Sequence, residues 1–223
     1  MQASSRDLVL AARSAGVSDE RLLAAIAATP RAVFAPTGHA GASYSDRPLP
    51  IPHGLVTTQP SLVAVMIAGL SLAGGEQVLE IGTGYGYQTA LLARLAACVT
   101  SIETYSDIAT VARRNLSRQG IANVQVITAD GTGGYRKGAP FDAVLVSAAH
   151  PHVPPPLIDQ LRMGGRLVQP IGLGGNEDVT LFERVPGGLR RVRVLTEASF
   201  VRLRGRYGFA QAGVGSRAED GQR

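Results

Sequence analysis

The stretch VLEIGTGYGYQTA, residues 78–90, decides how the rest of the chain is read. It joins a short apolar run, an acid at Glu80, three alternating glycines and a helix-like segment. An apolar run of this length, closed by glycine, reads as a buried strand over 77–81, and residues 88–97 read as a helix. Between them Gly82, Gly84 and Gly86 permit unusual dihedrals and let a ligand approach the backbone closely. The spacing is G-x-G-x-G, whereas the dinucleotide fingerprint G-x-G-x-x-G needs its third glycine one place later. The turn alone therefore fits either a tight turn or a ligand cradle, and does not choose the ligand.

Working outward, strand and helix alternate. Strands are expected at 99–103, 124–130, 141–149 and 165–171, and helices at 107–119 and 157–161. That alternation predicts an α/β fold with a parallel sheet covered on both faces. The last third changes character: 178–185 and 189–203 read as strands around Pro186-Gly187-Gly188, an antiparallel addition at one edge. Residues 4–30 read as two short helices, the second capped by Ser18 and closed by Pro30. A Pro/Gly-rich loop follows over 35–57, and then a helix with Pro60 at its first position and Gly74-Gly75 at its end. The expected architecture is a single domain over 1–209, with a seven-stranded, mostly parallel sheet. Residues 1–57 form an N-terminal helical cap and substrate-side loop, 58–209 the core, and 210–223 a loose tail.

The chain of 223 residues is 45% hydrophobic, enough for a full core. Its longest apolar runs fall short of a membrane span. Arg6, Asp7 and Arg13 interrupt any signal-peptide core, so a cytoplasmic protein is expected. The single cysteine, Cys98, excludes an internal disulfide and is read as a small core residue. The net charge of +5 owes much to Arg184, Arg190, Arg191, Arg193, Arg202, Arg204 and Arg206. Without interleaved aromatic residues or a helix-turn-helix signature, these are read as solvated strand faces rather than a nucleic-acid surface.

The strand ends carry the chemistry. Glu103 follows Gly82 by 21 residues and ends the second strand, where a carboxylate can accept from both ribose hydroxyls and repel a 2′-phosphate. Asp130 ends the third, placed to take an adenine amino group, with the Gly131 amide as donor to a ring nitrogen. Glu80 stands just before the turn and would attract a cationic group such as the ammonium of an amino acid. Each acid alone is equally a solvated strand end. Three on successive strands describe a nucleoside with a charged amino-acid tail, which is S-adenosylmethionine, and the chain resembles the Rossmann-like methyltransferases.

Other motifs narrow the resemblance. YSDRPLPI (44–51), TTQPSLVA (57–64), APFDAVLVSAA (139–149), LIDQLRMGGRLVQPIG (157–172) and FVRLRGRYGF (200–209) resemble, in that order, the protein-L-isoaspartate O-methyltransferase family. The resemblance implies methylation of the free α-carboxylate of isoaspartyl residues in damaged proteins or peptides, with S-adenosyl-L-homocysteine as co-product. It puts Thr58 at the family's active-site hydroxyl, usually a serine, with Thr57 beside it. Gly82, Gly84, Glu103, Asp130 and Gly131 match cofactor-contacting positions. From the residues alone, Tyr85 and Tyr87 read equally as pocket wall and as core or helix packing. Thr58 precedes Pro60, so the amides and dipole of a helix N-terminus are expected to favour an anion there. Leu55 and Arg202 depart from the usual glutamine and proline, which leaves the acceptor's identity open. A carboxyl methyltransferase dedicated to one peptide, and a cofactor-sensing nucleic-acid-binding module without catalysis, stay as alternatives. His150 and His152 lack a third ligand, so no metal is expected and they read as a substrate-facing wall. His53 reads as a solvated loop residue and Asp46 as a loop-stabilising acceptor. The protein is expected to act as a monomer.

Overall fold

The computed structural model describes residues 4–210. Two helices lead, α1 (Ser5–Ser14) and α2 (Glu20–Ala28), then the small hairpin β1 (Pro50–Ile51) and β2 (Leu55–Val56), then α3 (Pro60–Leu70). The α/β core runs β3 (Gln77–Ile81), α4 (Tyr87–Leu95), β4 (Cys98–Glu103), α5 (Ser106–Arg118), β5 (Val124–Thr128), β6 (Phe141–Val146), α6 (Pro155–Asp159), β7 (Leu161–Ile171), β8 (Glu177–Val185) and β9 (Gly188–Ala198). The expected fold is present: a seven-stranded sheet in the order β5-β4-β3-β6-β7-β8-β9. The pairings from β5 through β7 are parallel, and those of β7–β8 and β8–β9 antiparallel.

Strand order reverses between β3 and β6. The chain builds outward through β4 and β5, then returns to the other side of β3. Crossovers leave that point in opposite directions, so a crevice opens at the carboxyl ends of β3 and β6. Alternation along β3 sends Val78 to the core shared with α1–α4, while Leu79 and Ile81 join the core beneath α6. Glu80, two residues from Val78, lies on the α4 side.

Several local expectations change. Asp19, not Ser18, caps α2, accepting from the amides of Arg21 and Leu22. The α3 helix stops at Leu70 because Ser71 takes a left-handed conformation (φ 51°), ahead of Gly74. The α6 helix starts two residues early, on the Pro155-Pro156 pair that suits a first helical turn. Cys98 is exposed, not core, because it opens β4 at the amino-terminal end of the sheet opposite Gln77. In the basic third, Arg190 pairs with Glu183 at 2.6 Å and Arg191 with Asp178 at 2.8 Å. No helix among the described residues is long and apolar enough to cross a membrane.

Candidate active site

A cavity of about 810 Å³ opens at the reversal point. Its floor is the turn after β3, where Gly82 (φ 95°), Gly84 (φ 54°) and Gly86 (φ 95°) all adopt conformations costly for other residues. Gly86 also serves as the left-handed N-cap of α4. Of the residues singled out in the sequence, Thr57, Thr58, Gly82, Gly84, Tyr85, Glu103 and Gly131 line the cavity.

Glu103 sits at the end of β4, 5% exposed. Its Oε2 accepts from the Gly84 amide at 2.9 Å and its Oε1 from the Tyr105 amide at 3.2 Å. Each oxygen keeps a lone pair for another donor. Burial raises its carboxyl above the usual value, opposed by these amides. Gly131 lies across the cavity, and a Cβ there would stand 2.6 Å from Ile81 Cγ2. Only glycine lets that segment close on the end of β3.

Glu80 and Asp130 do not line the cavity. Glu80 is fully buried behind the glycine turn. Its Oε2 accepts from Thr89 and Ser101, each at 2.5 Å, and its Oε1 from Gln88 Nε2 at 2.8 Å. Ser101 is bonded in turn to Thr83 at 2.6 Å. Gln88 carries the network to the cavity: it lines the wall, its Nε2 also reaches Ser147 Oγ at 2.8 Å, and its Oε1 is buried without a partner. Asp130 is turned the other way. Its carboxylate accepts from the amide and hydroxyl of Thr132 (2.9 and 2.7 Å) and from the Arg206 amide (2.7 Å). Burial works to raise its carboxyl, but these donors outweigh it and hold the group below the ordinary value. Asp130 therefore ties the C-terminal segment to the rim.

Burial pushes the Glu80 carboxyl up to about 7, against its three donors and with help from the Glu103 charge. The folded form then binds more protons than the unfolded chain between about pH 4.5 and 7, so this group's contribution to stability falls as pH rises through that window. Between pH 5 and 7 the loss is about 2 kcal/mol. Denaturant titrations of the wild type and Glu80→Gln at both pH values should differ by that slope. Parallel pH profiles would contradict it.

The Thr57–Thr58 segment is held by a residue the sequence reading passed over. Arg31 is 2% exposed and lies against the cavity wall. Its Nη1 donates to the carbonyls of Ser43 and Ser45 (each 3.0 Å), and its Nη2 to the Arg47 carbonyl (3.0 Å) and Thr57 Oγ1 (3.1 Å). Thr57 Oγ1 also accepts from the Leu49 amide at 3.0 Å. Thr57 is thus spent on shape, while the Thr58 hydroxyl has no hydrogen-bond partner among the described residues. The N-terminus of α3 is already filled: Asp46 accepts from the Ser61 amide at 2.8 Å and from Gln59 Nε2 at 2.9 Å. The expectation that those amides wait for an anion gives way to a different source of positive potential, the Arg31 guanidinium. Burial lowers its pKa, with Tyr87 and the Asp46 carboxylate opposing, yet an arginine stays protonated in a protein. Tyr87, beside it, also lines the cavity and has a buried hydroxyl without a partner.

His53 is a solvated loop residue, as read, but it is also engaged and lines the cavity. At the tip of the β1–β2 hairpin it stacks on Tyr105 at 4.0 Å, and its Nε2 meets Asp107 at 3.0 Å. The hydrogen bond to His53 holds the Asp107 carboxyl below its usual range. The His150 ring bonds to the backbone of His152 within their own loop, and neither histidine lines the cavity. Residues 200–204 line the cavity as well. They are pinned by the Val201 carbonyl accepting from the Ala149 amide and the Leu203 amide donating to the Ala149 carbonyl, each at 2.8 Å.

The family profile of protein-L-isoaspartate(D-aspartate) O-methyltransferase matches residues 3–208. A protein-L-isoaspartate O-methyltransferase of Methanoculleus marisnigri is 47% identical over 197 residues, covering 88% of this chain and 89% of that protein. One from Anaeromyxobacter dehalogenans is 48% identical over 190 residues, covering 84% and 91%. A solved protein-L-isoaspartate O-methyltransferase superposes with a TM-score of 0.81 at 29% identity, covering 92% of this chain and 67% of the other. A Plasmodium falciparum structure described as a complex with S-adenosyl-L-homocysteine shares the fold, with a TM-score of 0.77 at 20% identity, covering 92% and 99%. The chain belongs to the protein-L-isoaspartate O-methyltransferase family.

Proposed function

We propose that Thr58 and Arg31 present an isoaspartyl carboxylate to the cavity's cofactor end, within the reaction this family performs. The protein transfers a methyl group from S-adenosylmethionine to the free carboxylate of L-isoaspartyl residues in damaged proteins or peptides. The observation that carries the site assignment is that the glycine turn, Glu103 and Thr58 all line one cavity.

When bound, S-adenosylmethionine supplies a methyl group on a sulfonium. The cavity fits such a molecule. The two Glu103 oxygens have lone pairs left for a ribose diol, and the glycines at 82 and 84 allow close approach. The buried Gln88 Oε1 is an acceptor lacking a donor, which the α-ammonium provides. Glu80 thus acts on the cofactor only through Gln88, and Gly131 and Tyr85 wall the pocket. An isoaspartyl α-carboxylate, with a reference pKa near ~3.5, is already ionised at neutral pH, so the chain need not hold a general base. Its part is positioning and preorganised charge. The Thr58 hydroxyl orients the carboxylate, Arg31 makes the surroundings positive, and Tyr87 has a further donor to offer. We further propose a cytoplasmic monomer, with residues 1–57 as the cap and 58–209 as the core.

The test uses labelled S-adenosylmethionine with paired peptides carrying isoaspartate or aspartate at one site. Methanol-releasable label on the isoaspartyl peptide alone is expected. Label on neither peptide would favour a dedicated peptide substrate. In the same assay Thr58→Val should lower turnover about tenfold, the worth of one hydrogen bond to a charged group. Cofactor affinity should change by less than about threefold; equal losses in both would remove Thr58 from the role.

A further inference from the structure

We infer that Arg202 and Arg204 form a specificity element that selects isoaspartyl peptides carrying acidic residues beside the damaged site, a conclusion that rests on the proposed function. Both arginines line the cavity that holds the glycine turn, and both are exposed. The segment that carries them is fixed. The two bonds to Ala149 pin Val201 and Leu203, and Leu203 is 4% exposed. Alternation along an extended segment then turns Arg202 and Arg204 away from that buried side.

The two guanidinium groups are oriented without being neutralised. Arg202 Nε donates to the Leu173 carbonyl at 3.1 Å, and its head lies 5.1 Å from the centre of the Phe209 ring. Arg204 Nη1 donates to the Ala210 carbonyl at 3.1 Å. No ion pair among the described residues includes either one. Apart from the histidine, the ionisable lining groups with a fixed charge at neutral pH are Arg31, Arg202, Arg204 and Glu103. Glu103 is at the cofactor end and bonded to backbone amides. The wall past which a peptide must run is therefore positive. Arg31 is buried beside Thr58 and serves the carboxylate being methylated; the exposed pair is left for neighbouring side chains. Charges at the rim of a site act mainly on encounter and partner choice, and salt weakens them.

The experiment compares one isoaspartyl peptide in three versions, flanked by Glu, Gln or Lys, and reads kcat/KM at low and high salt. The Glu version should exceed the Lys version about tenfold at low salt, through KM, with the ratio shrinking at high salt. In an Arg202→Gln/Arg204→Gln double variant the ratio should approach one, and in Arg202→Glu/Arg204→Glu it should invert. Arg202→Lys/Arg204→Lys should restore it, which a packing role would not. The ratio is taken within each variant, so a loss of folded enzyme cancels. Equal rates on all three peptides, or a preference unchanged in the Gln variant, would overturn the inference while leaving the methyltransferase reading intact. No methylation of even the Gln-flanked peptide would overturn both.

Discussion

Arg31→Met is expected to lower stability by about 4 kcal/mol and turnover by about 10²-fold. The guanidinium supplies the donors for three loop carbonyls, at Ser43, Ser45 and Arg47, and for Thr57 Oγ1. Methionine fills comparable space but donates nothing, so buried acceptors lose their partner without regaining water. Each such group costs about 1–3 kcal/mol, and the costs are not simply additive. For a domain of this size 4 kcal/mol is a fall of about 10 °C in Tm. Turnover falls because residues 43–58 lose the clamp that sets Thr58 against the cavity. Arg31→Lys should recover part of the turnover but little of the stability, since an ammonium cannot reproduce the planar fork. Thermal melts and single-turnover assays on the three proteins check this. An Arg31→Met protein melting within about 2 °C of wild type would show that the loops hold themselves.

Glu103→Ala should weaken S-adenosyl-L-homocysteine binding about 10²-fold by calorimetry, with turnover at saturating cofactor changed by less than about threefold. Two hydroxyls donating to one carboxylate are together worth about 3 kcal/mol at the low end of such bonds, and looser order in the turn adds to the loss. The turn loosens because Glu103 also receives the Gly84 and Tyr105 amides. Glu103→Gln should not rescue binding, since its NH₂ would face an amide donor. Because burial raises the Glu103 carboxyl, wild-type affinity should fall on acidification sooner than an exposed glutamate would require, while the alanine variant stays flat. Affinity within threefold of wild type in Glu103→Ala would place the ribose elsewhere.

Part of this site was legible in sequence and part was not, for identifiable reasons. Glu103 was legible because a strand end next to a glycine turn has few places to point. Glu80 stands just before the turn, but which groups it meets there is not written in its own strand. Its strand position gave its face, but the partners that consume it, Thr89, Ser101 and Gln88, come from other elements. The partners of Asp130 were hidden for a similar reason: the Arg206 amide arrives from 76 residues away. Arg31 was silent, because one arginine before an apolar run reads as surface until folding closes a loop around it. The two arginines at 202 and 204 looked like part of a solvated basic stretch, and only the crossing of 200–204 over the strand ends puts them at the cavity.

Sequence alone determined the α/β alternation, the turn after β3 and the family, because local period, glycine spacing and ordered motifs need no distant partner. Tertiary structure decided which polar groups face the cavity and which are consumed behind it. A buried carboxylate or guanidinium binds whatever donor or acceptor the fold brings within about 3 Å, and that neighbour is set by packing between segments far apart in the chain.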